Sequence, residues 1–238
     1  MGAVYRRELQ GYFFTPVGYV FAGVFLTLGS VFFGAGNLAI RSSSMMSLLR
    51  NMSYLWMLLC PVLTMRLIAG EKSSGTFSLL FSSPCSLTAI VGGKFFSACT
   101  VMLATVALSF VFPILIAIYG KLYLAETLVG YLGFLLQGGC FIALDMTVSC
   151  LTRNPVTAAI ACFGVNLGVW FFDVLSAVVQ NAALTDVLSF FSLYQRLTPF
   201  TLGQLSFANV LFSLTYIFAM LFLCVRLLDA RRWSEVQS

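Results

Sequence analysis

Six long apolar runs constrain this chain more than any other feature. They cover residues 17–36, 53–68, 95–119, 127–148, 155–175 and 207–228. A helix needs about 20 mainly apolar residues to cross the hydrocarbon core of a bilayer. Only 9% of the residues are charged, whereas a soluble domain carries about 25%. The sequence therefore predicts an all-α integral membrane protein with six transmembrane helices, forming a single domain over residues 1–238.

Lysine and arginine flank the six runs unequally. One end of the runs carries Arg6, Arg7, Arg66, Lys72, Lys94, Arg153, Arg226, Arg231 and Arg232. The other end carries Arg41, Arg50, Lys121 and Arg196. Because cytoplasmic connections are enriched in basic residues, both termini are predicted to lie in the cytoplasm. The basic residues are scattered rather than clustered, so we expect no binding to nucleic acid.

Two prolines predict irregularities within the runs. Pro61 lies inside the second run, which is short, so that helix is expected to tilt or to begin earlier. Pro113 lies late in the third run and predicts a kink or an end there. Both expectations follow from the missing amide hydrogen of proline.

Residues 1–14 precede the first run and have an amphipathic pattern, which ends at Thr15-Pro16. Tyr5, Leu9, Tyr12 and Phe13 recur at helical spacing, which places them on one face of a helix. The pattern predicts a helix that lies in the membrane interface, with Leu9 and Phe13 buried.

A polar and amphipathic stretch, residues 70–94, separates the second run from the third. Its sequence from Arg66 onward is RLIAGEKSSGTFSLLFSSPCSLTAIVGGK. A few residues would suffice to join two spanning helices. The length of this connection predicts a cytoplasmic segment that meets a partner protein.

Residues 176–206 are too apolar for a free loop between the fifth and sixth runs. They predict one or two short helices that re-enter the outer leaflet and cap the bundle, with Pro199 and Gly203 as breakpoints. Asp173 is expected at the base of this cap, near a polar partner. The candidate partners are Asn181, Gln195 and Arg196.

Two acids, Asp145 and Asp173, lie inside the apolar runs. A carboxylate within a membrane is costly, so each is a candidate gate residue. Asp145 is expected about one helical turn inside the membrane, where it could pair with Arg153 or Arg66 or reach interfacial water, and the sequence favours a structural pair over a substrate or proton site. For Asp173 a solvated position at the helix end is nearly as well supported as a gate.

Several kinds of chemistry are absent from the sequence. There is no histidine, and the seven cysteines include no C-x-x-C pair, which argues against a zinc site or Ser-His catalysis. There is no phosphate-binding loop of the G-x-x-x-x-G-K-[ST] type. The chain is therefore predicted to hold no cofactor and not to be an enzyme.

Four stretches carry a family resemblance. They are YFFTPVGYV, RLIAGEKSSGTFSLLFSSPCSLTAIVGGKF, SCLTRNPVTAA and the ARRW that follows the last run. In this order they resemble the permease subunits of type-2 ABC transporters, most closely the gliding-motility branch. The most specific part is E-K-x-S-G-T-x-x-L-L-x-x-x-P at residues 71–84. Asp145, and Ser78 in place of a second acidic residue, depart from the family pattern.

The resemblance implies a type-2 exporter fold with an elbow helix, residues 1–16, and a coupling helix within residues 70–94. It implies two copies of a cytoplasmic ATPase subunit, which would bind ATP and Mg²⁺. The implied ATPase contacts are Glu71, Lys72, Gly75, Thr76, Leu79, Leu80, Pro84 and Arg153.

Further partners are also implied by the resemblance. They are a second copy of the permease or a homologous permease, membrane lipids and an extracytoplasmic auxiliary protein. The location implied is a bacterial cell membrane. We expect the interface between permeases to involve the first and fifth runs, near Phe25 and Gly164.

Three functions fit these features. The first is an export or extrusion permease driven by a separate ATPase. The second is a complex of the same build that does mechanical or regulatory work on an extracytoplasmic partner without transport. The third is an ion-coupled secondary transporter with Asp145 and Asp173 as proton carriers, which the lack of inverted repeats disfavours.

Overall fold

The computed structural model describes residues 2–39, 44–73, 86–178 and 192–236, without the side chains of 176–178 and 231–236. The α-helices of this part of the chain are α1 Gly2–Phe13, α2 Pro16–Phe33, α3 Met46–Thr64, α4 Ala69–Ser73, α5 Leu87–Ser109, α6 Val111–Tyr119, α7 Leu124–Leu151, α8 Pro155–Val178, α9 Leu193–Thr201 and α10 Phe207–Val236. A π-helical turn, Gly34–Leu38, extends α2.

Six helical segments are long and apolar enough to cross a membrane, which confirms the predicted number. Spans one to six are Pro16–Leu38, Met46–Ser73, Leu87–Tyr119, Leu124–Leu151, Pro155–Leu175 and Phe207–Ala230. An even number of spans places both ends of the chain at the same end of the bundle.

Span two begins earlier than its apolar run, as predicted, and span three does so as well. Span two starts at Met46 rather than at residue 53, because the helix continues through polar residues such as Arg50 and Ser53. Span three starts at Leu87 rather than at residue 95, after Ser86, whose side chain accepts a hydrogen bond from the amide of Ala89 at 3.3 Å. Residues 70–73 and 87–94 of the predicted cytoplasmic region therefore lie in the helical segments of spans two and three, and residues 74–85 lie outside the described residues.

Span four is the central helix of the bundle and is packed through its glycines. A Cβ atom added to Gly133 would lie 2.4 Å from Cβ of Phe200 on α9, and one added to Gly130 would lie 2.5 Å from Leu49 on span two. At Gly138 the nearest atom, on Met102 of span three, would be at 2.2 Å. Glycine at these positions lets three neighbouring elements approach closely.

An aromatic cluster joins spans one, two and four around Trp56. The ring centroids of Phe21 and Phe25 lie 5.5 and 5.8 Å from that of Trp56, and the ring of Phe134 lies 6.0 Å away. Phe25 is 0% exposed. Phe25 therefore packs within the chain, whereas its neighbour Val24 is exposed. The interface expected near Phe25 stays a prediction.

Pro61 lies inside the helix of span two, which continues on both sides of it. Because proline has no amide hydrogen, the carbonyl of Met57, four residues earlier, lacks its helical partner. The side-chain amide of Asn166 on span five donates to that carbonyl at 3.2 Å. The carbonyl that Pro61 leaves without a helical partner therefore forms a hydrogen bond between spans two and five.

Pro113 has the same effect in span three, where the predicted break is found. Helix α5 ends at Ser109 and α6 begins at Val111. The freed carbonyl of Ser109 accepts a hydrogen bond from the hydroxyl of Tyr131 on span four, at 3.2 Å.

Helix α1 packs on span three and is anchored by its tyrosines. Tyr12 is buried, and its hydroxyl donates to the carbonyl of Leu63 at 2.7 Å. Tyr5 and Thr100 share a hydrogen bond of 2.9 Å. Leu9 is half-buried, but Phe13 is 40% exposed. Tyr5 and Tyr12 share the face that packs on the chain, and Phe13 lies about 100° further round the helix. The burial of Phe13 in the membrane interface stays a prediction.

Candidate functional site

Four charged side chains meet where α1, α4 and span three come together, at the end of the bundle that is predicted to be cytoplasmic. The ammonium group of Lys94 lies 2.8 Å from a carboxylate oxygen of Glu8 and 2.9 Å from one of Glu71. Arg7 lies 3.2 Å from the other oxygen of Glu71. We call Arg7, Glu8, Glu71 and Lys94 the charge cluster.

The strongest ion pairs of the charge cluster are those of Lys94, because the Lys94 side chain is only 2% exposed. Glu71 is also buried, whereas Arg7 is exposed and contributes little as a surface pair. Removing one partner of a buried pair costs roughly 3–5 kcal/mol, because the other charge is left uncompensated. Lys94 therefore fixes α1 and α4 against span three.

Lys72, the next residue after Glu71, binds a different helix. Its ammonium group donates to the carbonyl of Cys150 at 2.5 Å and to that of Thr152 at 3.4 Å, at the C-terminal end of span four. A cation is stabilised there by the helix dipole and by the unpaired carbonyls. The amide of Ala69 also donates to the hydroxyl of Ser149 at 3.3 Å.

Two of the predicted ATPase contacts, Glu71 and Lys72, therefore bind other parts of the chain itself. Arg153 is exposed in the turn between spans four and five, beside the carbonyls that Lys72 binds. The remaining predicted contacts, Gly75, Thr76, Leu79, Leu80 and Pro84, lie outside the described residues. All eight contacts with an ATPase stay predictions.

The tyrosine that anchors α1 lies on the same side of the bundle as the charge cluster. Burial raises the pKa of the Tyr12 hydroxyl well above its usual range, and the negative charge of Glu8 raises it further. The hydroxyl therefore stays protonated and remains a donor to Leu63.

Asp145 lies fully buried between spans two, four and five. The hydroxyl of Thr64 is 3.5 Å from its carboxyl group, and the thiol of Cys162 donates to its backbone carbonyl at 3.3 Å. Arg66 and Arg153 are both exposed, and no ion pair in the described structure includes Asp145. The predicted pair with an arginine is therefore wrong, because Asp145 faces the interior of the bundle.

Asp173 lies at the other end of span five, half-buried beside α9. The hydroxyl of Ser192 donates to its carboxylate, and the same hydroxyl accepts from the amide of Gln195 at the start of α9. Arg196 instead binds the side chain of Asn209 at 3.2 Å, and Asn181 lies outside the described residues. The gate role of Asp145 and of Asp173 stays a prediction.

Helix α9 lies within residues 176–206, where short capping helices are predicted. Its residues Leu193, Leu197 and Phe200 are buried. Gly203 has a φ of 74°, a conformation that favours glycine, and separates α9 from span six. Pro199 lies inside α9, which ends two residues later, so the predicted breakpoint at Pro199 is not found. Residues 179–191 lie outside the described part, so the re-entrant cap stays a prediction.

The chemistry of the described residues is that of packing and charge rather than catalysis. They contain no group of three or more Cys, Asp or Glu side chains placed to hold a metal ion. The pairing of Lys94 with Glu8 was not predicted from the sequence. The scarcity of charged residues and the position of Lys94 next to an apolar run indicate that Lys94 needs an acidic partner. The sequence does not give the distance between α1 and span three, so it does not identify Glu8 as that partner.

Residues 18–233 match the family described as "ABC-2 family transporter protein". This chain belongs to the ABC-2 transporter family. It is the membrane permease component of such a transporter and has no ATPase activity itself. A comparison with curated proteins finds no match. ABC-2 permeases in general pair with ATPase subunits. Helix α1 of this permease precedes the matched region.

Proposed function

We propose that this ABC-2 permease belongs to an exporter or extrusion system powered by two copies of a separate cytoplasmic ATPase subunit. ATP and Mg²⁺ would be bound by that subunit. The docking surface is residues 71–84 together with Arg153. Placement within the gliding-motility branch is part of the same proposal and rests on the sequence pattern at residues 71–84 alone.

The observation that carries this proposal is the attachment of Glu71 and Lys72 to three other elements. Glu71 is the first residue of the predicted docking segment and binds Lys94 of span three and Arg7 of α1. Lys72 binds the end of span four. A force applied to residues that follow Ser73 therefore reaches α1, span three and span four through short, partly buried polar contacts.

Span four is suited to receive such a movement. It packs closely against span two, span three and α9 at Gly130, Gly138 and Gly133. Close-packed interiors transmit displacement rather than absorb it. A shift of its cytoplasmic end at Cys150 would therefore be passed to α9, at the opposite end of the bundle.

The proposal includes a second permease copy or a homologous permease. Spans one, five and six are the least buried spans. The outward side chains of span one include Val20, Val24 and Val31, and those of span five include Ile160 and Phe163. Spans one and five remain the proposed interface.

Photocrosslinking tests the docking surface directly. A photoreactive residue at Thr76 should crosslink to the ATPase subunit in the purified complex, whereas one at Lys121, at the opposite end of the bundle, should not. Equal crosslinking at both positions, or none at Thr76, would contradict the proposal.

The alternatives differ in other measurements. A secondary transporter would not copurify with an ATPase chain. A mechanical or regulatory complex would copurify with one, but candidate substrates would not stimulate its ATPase activity.

A further inference from the structure

Two buried cysteines on different spans face each other at the end of the bundle that is predicted to be cytoplasmic. Cys150 lies at the C-terminal end of span four, and Cys224 lies on span six. Their sulfur atoms are 2.9 Å apart, and both side chains are 0% exposed. Both cysteines are free thiols in this structure. Residues far apart in the sequence thus form a dithiol inside the bundle.

The position of this dithiol follows from the packing of spans four and six. Both spans run in the same direction, because span five returns the chain between them. The thiol of Cys140 donates to the carbonyl of Ser213 at 3.7 Å, and the hydroxyl of Thr147 donates to that of Met220 at 2.9 Å. The partners in each of these contacts are 73 residues apart in the chain, and the two facing thiols are 74 apart. The dithiol therefore continues the register in which the two helices pack.

The contact between the two sulfurs differs from those of other buried thiols. A buried cysteine usually packs as a small apolar side chain, and the Cys162 thiol donates to a backbone carbonyl at 3.3 Å. The Cys224 sulfur lies 4.0 Å from the carbonyl of Met146 but only 2.9 Å from the sulfur of Cys150. The sulfurs of a disulfide are about 2.05 Å apart, so these two atoms need to approach by only about 0.9 Å to be bonded.

We propose that Cys150 and Cys224 are an oxidation site, at which a reversible disulfide forms between spans four and six. The oxidant is a small peroxide such as hydrogen peroxide, which is uncharged and little larger than water. One sulfur attacks the peroxide and becomes a sulfenic acid, with release of one water. The other sulfur then displaces the sulfenic oxygen, which leaves as a second water. The two thiols lose two electrons and two protons in all, and the peroxide takes up both.

The predicted cytoplasmic position of the pair fits a reversible modification. The cytoplasm keeps thiols reduced, so disulfides that form there are usually transient, and a second thiol restores the dithiol by exchange. The disulfide fixes span six to the end of span four, where Lys72 binds the carbonyl of Cys150. The site does not depend on the proposed ATPase coupling, because both sulfurs belong to the permease.

Peptide mapping of the full chain in nanodiscs tests this site. The folded protein is treated with hydrogen peroxide, and the remaining thiols are then blocked with N-ethylmaleimide in denaturant. We expect two fewer maleimides on the oxidised chain, and a crosslinked peptide that joins Cys150 to Cys224. Dithiothreitol should release the two halves of this peptide. The unfolding temperature of the oxidised chain should rise, because a crosslink restricts the unfolded state, and should return to its starting value after reduction.

Three variants control for the other cysteines and for the effect of a serine in the bundle. Cys150→Ser and Cys224→Ser should each abolish the crosslinked peptide and the rise in unfolding temperature. Cys140→Ser is the matched control, because it removes a buried thiol of span four that contacts a carbonyl of span six, and it should retain both. Thermal unfolding of the untreated variants first shows that each is folded.

The proposal is wrong if peroxide produces no crosslink between Cys150 and Cys224 in the folded wild type. It is also wrong if the crosslink joins a different pair of cysteines. A rise in unfolding temperature that persists in a folded Cys150→Ser variant would likewise contradict it.

Discussion

The side-chain amide of Asn166 donates to the carbonyl of Met57, 3.2 Å away on another span. That carbonyl is free because Pro61 supplies no amide hydrogen to it. An uncovered carbonyl would be costly inside a membrane, where no water can reach it. Pro61 thus leaves a carbonyl of span two available to accept a hydrogen bond from span five.

Asn166→Ala is expected to lower the free energy of unfolding by about 1–3 kcal/mol, because it leaves a buried carbonyl without a donor. The same change should cost less in a Pro61→Ala background, where the alanine that replaces proline supplies the amide hydrogen that the Met57 carbonyl needs. Thermal unfolding of the four proteins of this double-mutant cycle measures the difference. Equal losses in both backgrounds would show that Asn166 acts through something other than this carbonyl.

Gly133→Ala is expected to destabilise the chain by about 1–3 kcal/mol, because the new Cβ would lie 2.4 Å from Cβ of Phe200 and force α9 away from span four. Gly11→Ala is the control, since nothing lies within 4 Å of a Cβ added there. The control should be neutral or slightly stabilising, as alanine favours helix over glycine. Similar unfolding temperatures for the two variants would contradict the close packing of α9.

A photoreactive residue at Val24 or at Gly164 is expected to crosslink two permease chains, because both positions face outward on the spans of the proposed interface. Phe218 is the control, since it faces outward on span six. Denaturing gel electrophoresis of membranes distinguishes crosslinked dimers from single chains. Dimers formed from Phe218 and not from the other two positions would move the interface to span six.

The number and order of the spans were predictable from the sequence, because hydropathy depends on the residues of each run alone. The start of span two at Met46 was not, since its first turns include polar residues that lie within a helix only because of their neighbours. The burial of Tyr12 rather than Phe13 within the chain was not predictable, because amphipathic spacing does not determine which of two adjacent aromatic residues packs on the protein.

The candidate site was predictable only in part. The position of Glu71 and Lys72 at the start of a polar segment, which is predicted to be cytoplasmic, follows from the order of apolar and polar residues. Their partners, Lys94 and the carbonyl of Cys150, lie on other helices. The hydrogen bond between Asp145 and Thr64 joins spans two and four and likewise depends on packing. Sequence spacing alone carries no information on such distances.

We propose that the segment starting at Glu71 couples a separate ATPase to this permease through Lys94. This coupling is tested by the permease-dependent ATPase activity of the purified complex, measured for the wild type and for the Glu71→Arg, Lys94→Gln and Lys121→Gln variants. We expect Glu71→Arg and Lys94→Gln to insert in the membrane and to lose about tenfold in activity, since one buried charge contact is worth at least about 1.4 kcal/mol. Lys121→Gln should retain full activity. Wild-type activity in correctly inserted Glu71→Arg and Lys94→Gln complexes would contradict the claim.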